Sequence, residues 1–322
     1  MTPHTGQRPP VSPPRPPKDP PPRVATSPRV TALIDDLASG DRDALGRFWA
    51  EVNATGTPLV ERAADPAERI VTFLWRDRHG AGPGTDAVIL MANKLTDPSV
   101  WSECNLERLP HSDVWHRSFV IGADWRATYH LAPVDDAGDA AEGPVDPGPS
   151  RRWAQLAHRA LPDPLTPRTF PARRGGPPTS VVELPAAPAQ RWLAPRAGVT
   201  RGTVTCHRLH SPQLGYARDV WIYTPAGIGP GHPERLPVLV LLDGEDWRGR
   251  LAAPTTLDNL IAAGALPPTI AVMPDALDVP TRWAELTGSP GFDAFLLDTL
   301  LPWVAEHHPA RDGAGHTTIA GQ

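Results

Sequence analysis

The chain has 322 residues, 40% of them hydrophobic, with 36 acidic and 31 basic side chains and a formal net charge of −5. That size gives room for about two domains with cores of their own. The mild acidity, without a long charge run, excludes nucleic acid and an anionic membrane surface as partners. Two cysteines far apart, Cys104 and Cys206, exclude a disulfide framework and fit a reducing compartment. No stretch approaches the roughly 18 apolar residues of a membrane span, and the amino terminus lacks the apolar core of a secretory signal. A cytoplasmic location is therefore expected, to which the substrate must come.

Residues 1–28 are so dense in proline that neither helix nor strand is expected, and a disordered or polyproline II tail is predicted. Val30, Leu33, Ile34 and Leu37, then Leu45, Phe48 and Trp49, follow a 3–4 spacing. It predicts two short amphipathic helices within 29–52, broken at Ser39-Gly40, with Asp41 as N-cap of the second. From about 68 to 134 the period becomes two. Arg69–Trp75, Ala87–Ala92, Asp113–Ile121 and Ala127–Leu131 read as strands, with a Gly/Pro-rich turn at 80–84, and together predict a β-sandwich domain over 29–134. Residues 135–150 are polar and rich in glycine and proline, and 161–200 are again proline-rich, so 135–200 reads as loop and linker.

From 201 to 322 the pattern changes class. Thr203–Arg208 and Arg218–Thr224 predict an antiparallel pair. Pro237–Leu242 and Thr269–Met273 are continuous apolar runs, as strands buried on both faces of a parallel sheet require. Thr256–Ala263 reads as a helix closed by Gly264, and 292–306 as another, interrupted at Pro302. His316–Ala320 reads as the start of a third such strand, central in an intact fold and an unpaired apolar edge in residues 1–322. The alternation defines an α/β domain.

Three segments of this half, LLDGEDW (241–247), the stretch from Asp275 through Arg282, Trp283, Glu285 and Leu286, and TTIAGQ (317–322), together resemble the enterochelin (ferric enterobactin) esterase family of esterase D-like α/β-hydrolases. FLWRD (73–77), SDVWHRSFVIGADWRATYHLAP (112–133) and DPLTPRTF (163–170) resemble the amino-terminal part of the same family, so the likeness covers about 40–322. It implies an immunoglobulin-like (early-set) sandwich, then the amino-terminal half of an α/β-hydrolase domain. In that family the strand before the nucleophile ends Ala-Gly-Gln-Ser-x-Gly. Gly321 and Gln322 match the start of this elbow, and the nucleophilic serine would follow Gln322. Ser289, in Thr287-Gly-Ser-Pro-Gly291, lacks the glycine two residues before it and a preceding strand, and reads as a helix start.

The resemblance also implies site residues. The turn after the first buried strand supplies an oxyanion-hole N–H in α/β-hydrolases, which points to Gly244 and Glu245; an ordinary strand-exit turn has the same geometry. Arg282 follows the second buried strand, at the edge where α/β sheets bind ligands, and the resemblance makes it a contact for an anionic substrate. The alternative is that Glu285 pairs with Arg282 and holds the loop, a surface pair worth little. Trp247 and Trp283 sit beside these turns and suit the wall of a pocket for catechol rings. His207 and His210 face opposite ways on an extended segment, and His307-His308 falls at a helix end, so no metal site is expected.

The function implied is hydrolysis of the ester bonds of ferric enterobactin or a related ferric catecholate siderophore, with iron entering as part of the substrate and no cofactor. The alternatives are another acyl-ester hydrolase of the esterase D group, such as one acting on feruloyl or thioester compounds, and a non-catalytic siderophore- or carbohydrate-binding remnant. Since the resemblance places the serine beyond Gln322, residues 1–322 alone are expected to be inert, the oxyanion donors giving only a residual rate. Incubation with a ferric catecholate trilactone checks this, and clear hydrolysis overturns it.

Overall fold

A computed structural model describes residues 23–78, 84–97, 100–134, 149–173, 176–229 and 231–321. The tail over 1–22, most of the turn at 80–84, the loop over 135–148 and Gln322 lie outside the described residues. The chain divides into two compact units that meet in sequence between Ala189 and Gln190.

Among the described residues the first unit holds nine strands: β1 (Arg23–Val24), β2 (Leu59–Arg62), β3 (Glu68–Arg76), β4 (Ala87–Ala92), β5 (Glu107–Arg108), β6 (Val114–Gly122), β7 (Arg126–Val134), β8 (Thr169–Phe170) and β9 (Thr179–Glu183). They form two antiparallel sheets, β1-β6-β3-β2 with β5 on β6, and β4-β7-β9-β8. The period of two has its reason in the core. Val71, Phe73 and Trp75 of β3 and Trp115, Phe119 and Ile121 of β6 meet Val88, Leu90, Tyr129, Leu131 and Val182 from the other sheet. Phe73 and Tyr129 meet edge-on at 5.0 Å, an arrangement worth about 0.5–1.5 kcal/mol beyond burial.

The outer faces are covered too. Leu74 and Val114 turn toward α1 (Pro28–Ala38) and α2 (Ala44–Thr55), against Leu33, Phe48, Trp49 and Val52. Ile89 and Ala132 pack on Leu156 and Ala160 at α3 (Pro149–Arg159). The two amphipathic helices thus fall where their spacing puts them. The cap differs: Asp43 holds the N-cap position, while Asp41 accepts from the Asp43 N–H and pairs with Arg47.

The linker expected over 135–200 needs correcting. Within it lie α3, β8 and β9, and all three belong to the first unit. Hydrogen bonding holds this proline-rich stretch: Leu131 and Leu161 exchange backbone bonds, the Tyr129 hydroxyl donates to Asp163 at 2.7 Å, and the Asp163 N–H donates to Ser180.

Among the described residues the second unit has five strands: β10 (Thr203–Ser211), β11 (Tyr216–Thr224), β12 (Val238–Leu241), β13 (Ile270–Pro274) and β14 (Thr317–Ala320), in the order β10-β11-β13-β12-β14. β10 and β11 pair antiparallel as the sequence predicts, β11 runs antiparallel to β13, and β12 is parallel to both β13 and β14. One face packs on α4 (Gly244–Arg248) and α5 (Ala253–Ala262), through Leu241, Ala253, Leu257, Ala271 and Met273. The other packs on a helical stretch of α7 (Pro290–Ala294), a π-helical turn (Phe295–Leu300) and α8 (Leu301–His307), through Val220, Ile222, Val240, Val272, Phe295 and Leu300. α6 (Val279–Leu286) lies between β13 and α7 in sequence.

One expectation for this unit is revised. The interruption precedes Pro302, which sits in the first turn of α8; the wide turn over 295–300 absorbs the missing N–H and the ring's clash with the preceding carbonyl. β14 is the apolar edge expected of it: among the described strands it has one neighbour, β12, and Ile319 is 50% exposed.

Burial sets a pH dependence in the first unit. It lowers the pKa of His116, where Glu107 and Arg117 act in opposite senses as smaller effects, and that of His130. Unfolded, both accept a proton near pH 6.5. The unfolded chain therefore binds more protons just below that value, so stability is full above about pH 6.5 and is lost as pH falls through the folded pKa values. Thermal unfolding between about pH 7.5 and about pH 5.5 should show the midpoint falling, and H116N/H130N should flatten the slope; an unchanged slope contradicts the assignment.

Candidate functional site

β12 and β13 run side by side, with Val240 opposite Val272, and both end at the same edge of the sheet. Two connections leave that edge. One passes through Leu242 and Asp243 into α4, the other through 275–278 into α6. β14 is parallel to β12 and ends there too, with the Leu242 N–H donating to the Ala320 carbonyl at 2.9 Å.

Asp243 is the hinge of the first connection. It takes a left-handed backbone conformation (φ 67°), at a cost of roughly 1–2 kcal/mol for most non-glycine residues that aspartate tolerates better. Its carboxylate is wholly buried and is bound by Arg282, Nε at 2.5 Å and Nη2 at 2.8 Å. Such a bidentate pair is directional as well as strong. Gly244 follows at the first position of α4. A Cβ there would stand 2.2 Å from the Met273 carbonyl oxygen at the end of β13, so the turn approaches the strand as only glycine can. The Gly244 amide has no hydrogen-bond partner among the described residues, as expected for the first N–H of a helix.

The second connection is braced from several sides. Asp275 accepts from the Leu277 N–H, with Leu277 also left-handed (φ 62°), and Asp278 caps α6 by accepting from Thr281. The Glu245 carboxylate accepts from the Ala276 N–H at 3.1 Å, so the two connections are tied together twice, by Glu245–Ala276 and by Asp243–Arg282.

Behind them lies a buried ionic group. Arg218 of β11 is 1% exposed and pairs with Glu285 of α6, which is 5% exposed. The Tyr216 hydroxyl donates to the same carboxylate, and Arg218 Nη1 donates to the Asp275 carbonyl at 3.0 Å. The rings of Phe295, Phe292 and Tyr216 surround the guanidinium at 4.9, 5.2 and 5.6 Å. Burial, and then the bond to Glu285, push the Tyr216 hydroxyl up to about 12. A cavity of about 10 Å³ lies among Arg218, Asp243, Arg282 and Glu285, room for roughly one water.

The structure brings together Gly244, Glu245, Trp247 and Arg282 at one edge, and Gly321, whose Cβ position would lie 3.4 Å from the Leu242 side chain, joins them. Gln322 lies outside the described residues. Trp247 donates its indole N–H to the Leu242 carbonyl, and Trp283 is 49% exposed on α6. The expectation for Glu285 is corrected: its cation is Arg218, because α6 turns Glu285 inward while Arg282 reaches back to Asp243. Ser289 is the N-cap of α7, bonded by the Phe292 N–H. Arg218 and Tyr216 were missed. The available signal was a charged residue on the apolar face of β11, in register with Val220 and Ile222. Among the described residues no three His, Cys, Asp or Glu side chains group as a metal site.

Residues 70–193 match the family described as enterochelin esterase, N-terminal, and residues 211–322 match an esterase family. The iron(III) enterobactin esterase of Dickeya dadantii is 33% identical over 305 residues, covering 91% of this chain and 68% of the relative. That of Yersinia enterocolitica is 34% identical over 304 residues, covering 90% and 83%. The crystal structure of the enterobactin esterase from Shigella flexneri in the presence of enterobactin superposes with a TM-score of 0.61 at 30% identity, covering 86% of this chain and 69% of that one. The two-domain arrangement of sheets and helices is that of an ester hydrolase. The chain belongs to the iron(III) enterobactin esterase family.

The close approach at Gly244 yields a test. Gly244→Ala must push the turn away from β13, and the overpacking should cost roughly 1–3 kcal/mol. Denaturant unfolding measures it, and an unchanged midpoint shows that the approach is not tight.

Proposed function

We propose that this chain serves the hydrolysis of the ester bonds of ferric enterobactin, or of a related ferric catecholate siderophore, and that the edge formed by Asp243–Trp247, Arg282 and Gly321 faces the substrate. The observation that carries the reading is the Gly244 amide, without a hydrogen-bond partner among the described residues, at the turn after β12 that the Asp243–Arg282 pair holds in place. In an α/β-hydrolase, an N–H at this turn stabilises the oxygen that becomes charged when an ester carbonyl is attacked. Glu245 is the second candidate for that role through its backbone.

Arg282 is a paired substrate contact in this reading. Asp243 offsets part of its charge, so it offers a directed guanidinium face that stacks on a catechol ring as readily as it meets an anionic oxygen. Trp283, half exposed on α6, offers a second flat surface, and Trp247 lines the turn. The iron arrives within the substrate, and its release is placed in the cytoplasm. The first unit is read as an immunoglobulin-like (early-set) sandwich and the second as the first strands of an α/β-hydrolase sheet. The antiparallel sheets packed face to face, and the parallel β12, β13 and β14 with helices on both sides, support both assignments.

Calorimetric titration of residues 1–322 with ferric enterobactin tests the proposal. Saturable binding is expected. W283A, which removes a ring already half in solvent, should weaken it by about 1 kcal/mol while leaving the unfolding midpoint unchanged. Absence of saturable binding by the unsubstituted chain overturns the reading.

A further inference from the structure

The ion pair between Arg218 and Glu285 is an expensive thing to bury. Both side chains are almost wholly out of solvent, and the guanidinium sits among three aromatic rings. Arg218 Nε is left with no partner among the described residues, an unmet donor inside the fold. Well-packed apolar side chains of similar volume are often no less stable in such a place. Stability alone therefore does not account for the pair.

Its connections do. β11 grips one segment at both ends. Arg218 Nη1 holds the Asp275 carbonyl, and the Asp275 N–H donates to the Asp219 carbonyl at 2.9 Å, at the start of the connection after β13. Arg218 and Tyr216 hold Glu285 at the far end of α6. Between these grips lie Ala276, bound by Glu245, and Arg282, bound to Asp243. The clasped segment thus passes its position on to the turn that carries the Gly244 amide.

We infer that Arg218, Glu285 and Tyr216 are positioning residues, which fix the segment from Asp275 to Glu285 so that Arg282 and the Gly244 amide point toward a ferric catecholate ligand. The ligand named here rests on the function proposed above. The clasp itself rests on the geometry alone.

The test uses the full chain and the pair of substitutions R218M/E285L, which removes both charges together. Each single variant leaves one charge buried and should unfold more easily; the double variant should recover the unfolding midpoint. If the pair positions the site, the double variant still exchanges its amides over 275–285 faster than the unsubstituted chain. It also binds ferric enterobactin about ten- to a hundredfold more weakly, the scale of effect that small misplacements produce. A double variant that is stable, with unchanged exchange over 275–285 and unchanged affinity, overturns the inference. Should it fail to fold, Y216F removes one hydrogen bond only. Faster exchange over 275–285 at an unchanged midpoint then supports the clasp, and unchanged exchange refutes it. Exchange needs no ligand, so a failure of the unsubstituted chain to bind ferric enterobactin sinks the proposed function while the clasp is still decided.

Discussion

Asp243 stands in a left-handed conformation with its carboxylate out of solvent, and both oxygens are taken by Arg282. Neither half of this arrangement is stable without the other. An uncompensated carboxylate would be costly in that position, and a guanidinium on α6 would have no reason to turn back toward the sheet. The pair therefore sets the backbone direction from which α4 starts, and with it where the Gly244 amide points. It depends in turn on β12 and β13 ending level, since only then do the two connections come within reach.

The parallel strands supply that level edge and the helices hold it. Apolar layers on both faces of the second unit, through Met273 and Leu257 on one side and Val240 and Phe295 on the other, make β12 and β13 a rigid base. The first unit is built on another principle, two antiparallel sheets with a shared core and helices outside. Both solve the problem of covering apolar faces, and the second brings the ends of β12, β13 and β14 to one edge.

Much of this was legible in the residues. The continuous apolar runs at 237–242 and 269–273 could be read because strands buried on both faces have no polar side to show. The turn at Asp243-Gly244 could be read because it ends such a run. What stayed hidden depends on contacts distant in sequence. Arg218 and Glu285 are 67 residues apart and cancel each other's charge, so each alone looks like a surface residue. The strands within 161–184 were concealed by prolines that permit only short pairings, and their order comes from Asp163 binding Tyr129 and Ser180. The break near Pro302 was visible, but not the side on which the helix would yield.

The absent side chain at Gly244 bears on how such a site can change. With the Met273 carbonyl filling the space a Cβ would need, this position resists any side chain, and the turn after β12 is held against β13. The outward face of α6, where Trp283 stands half in solvent, carries no such restriction. Change is therefore tolerated on that face and resisted at the turn: one position is fixed by the main chain packed against it, the other is left to replaceable side groups.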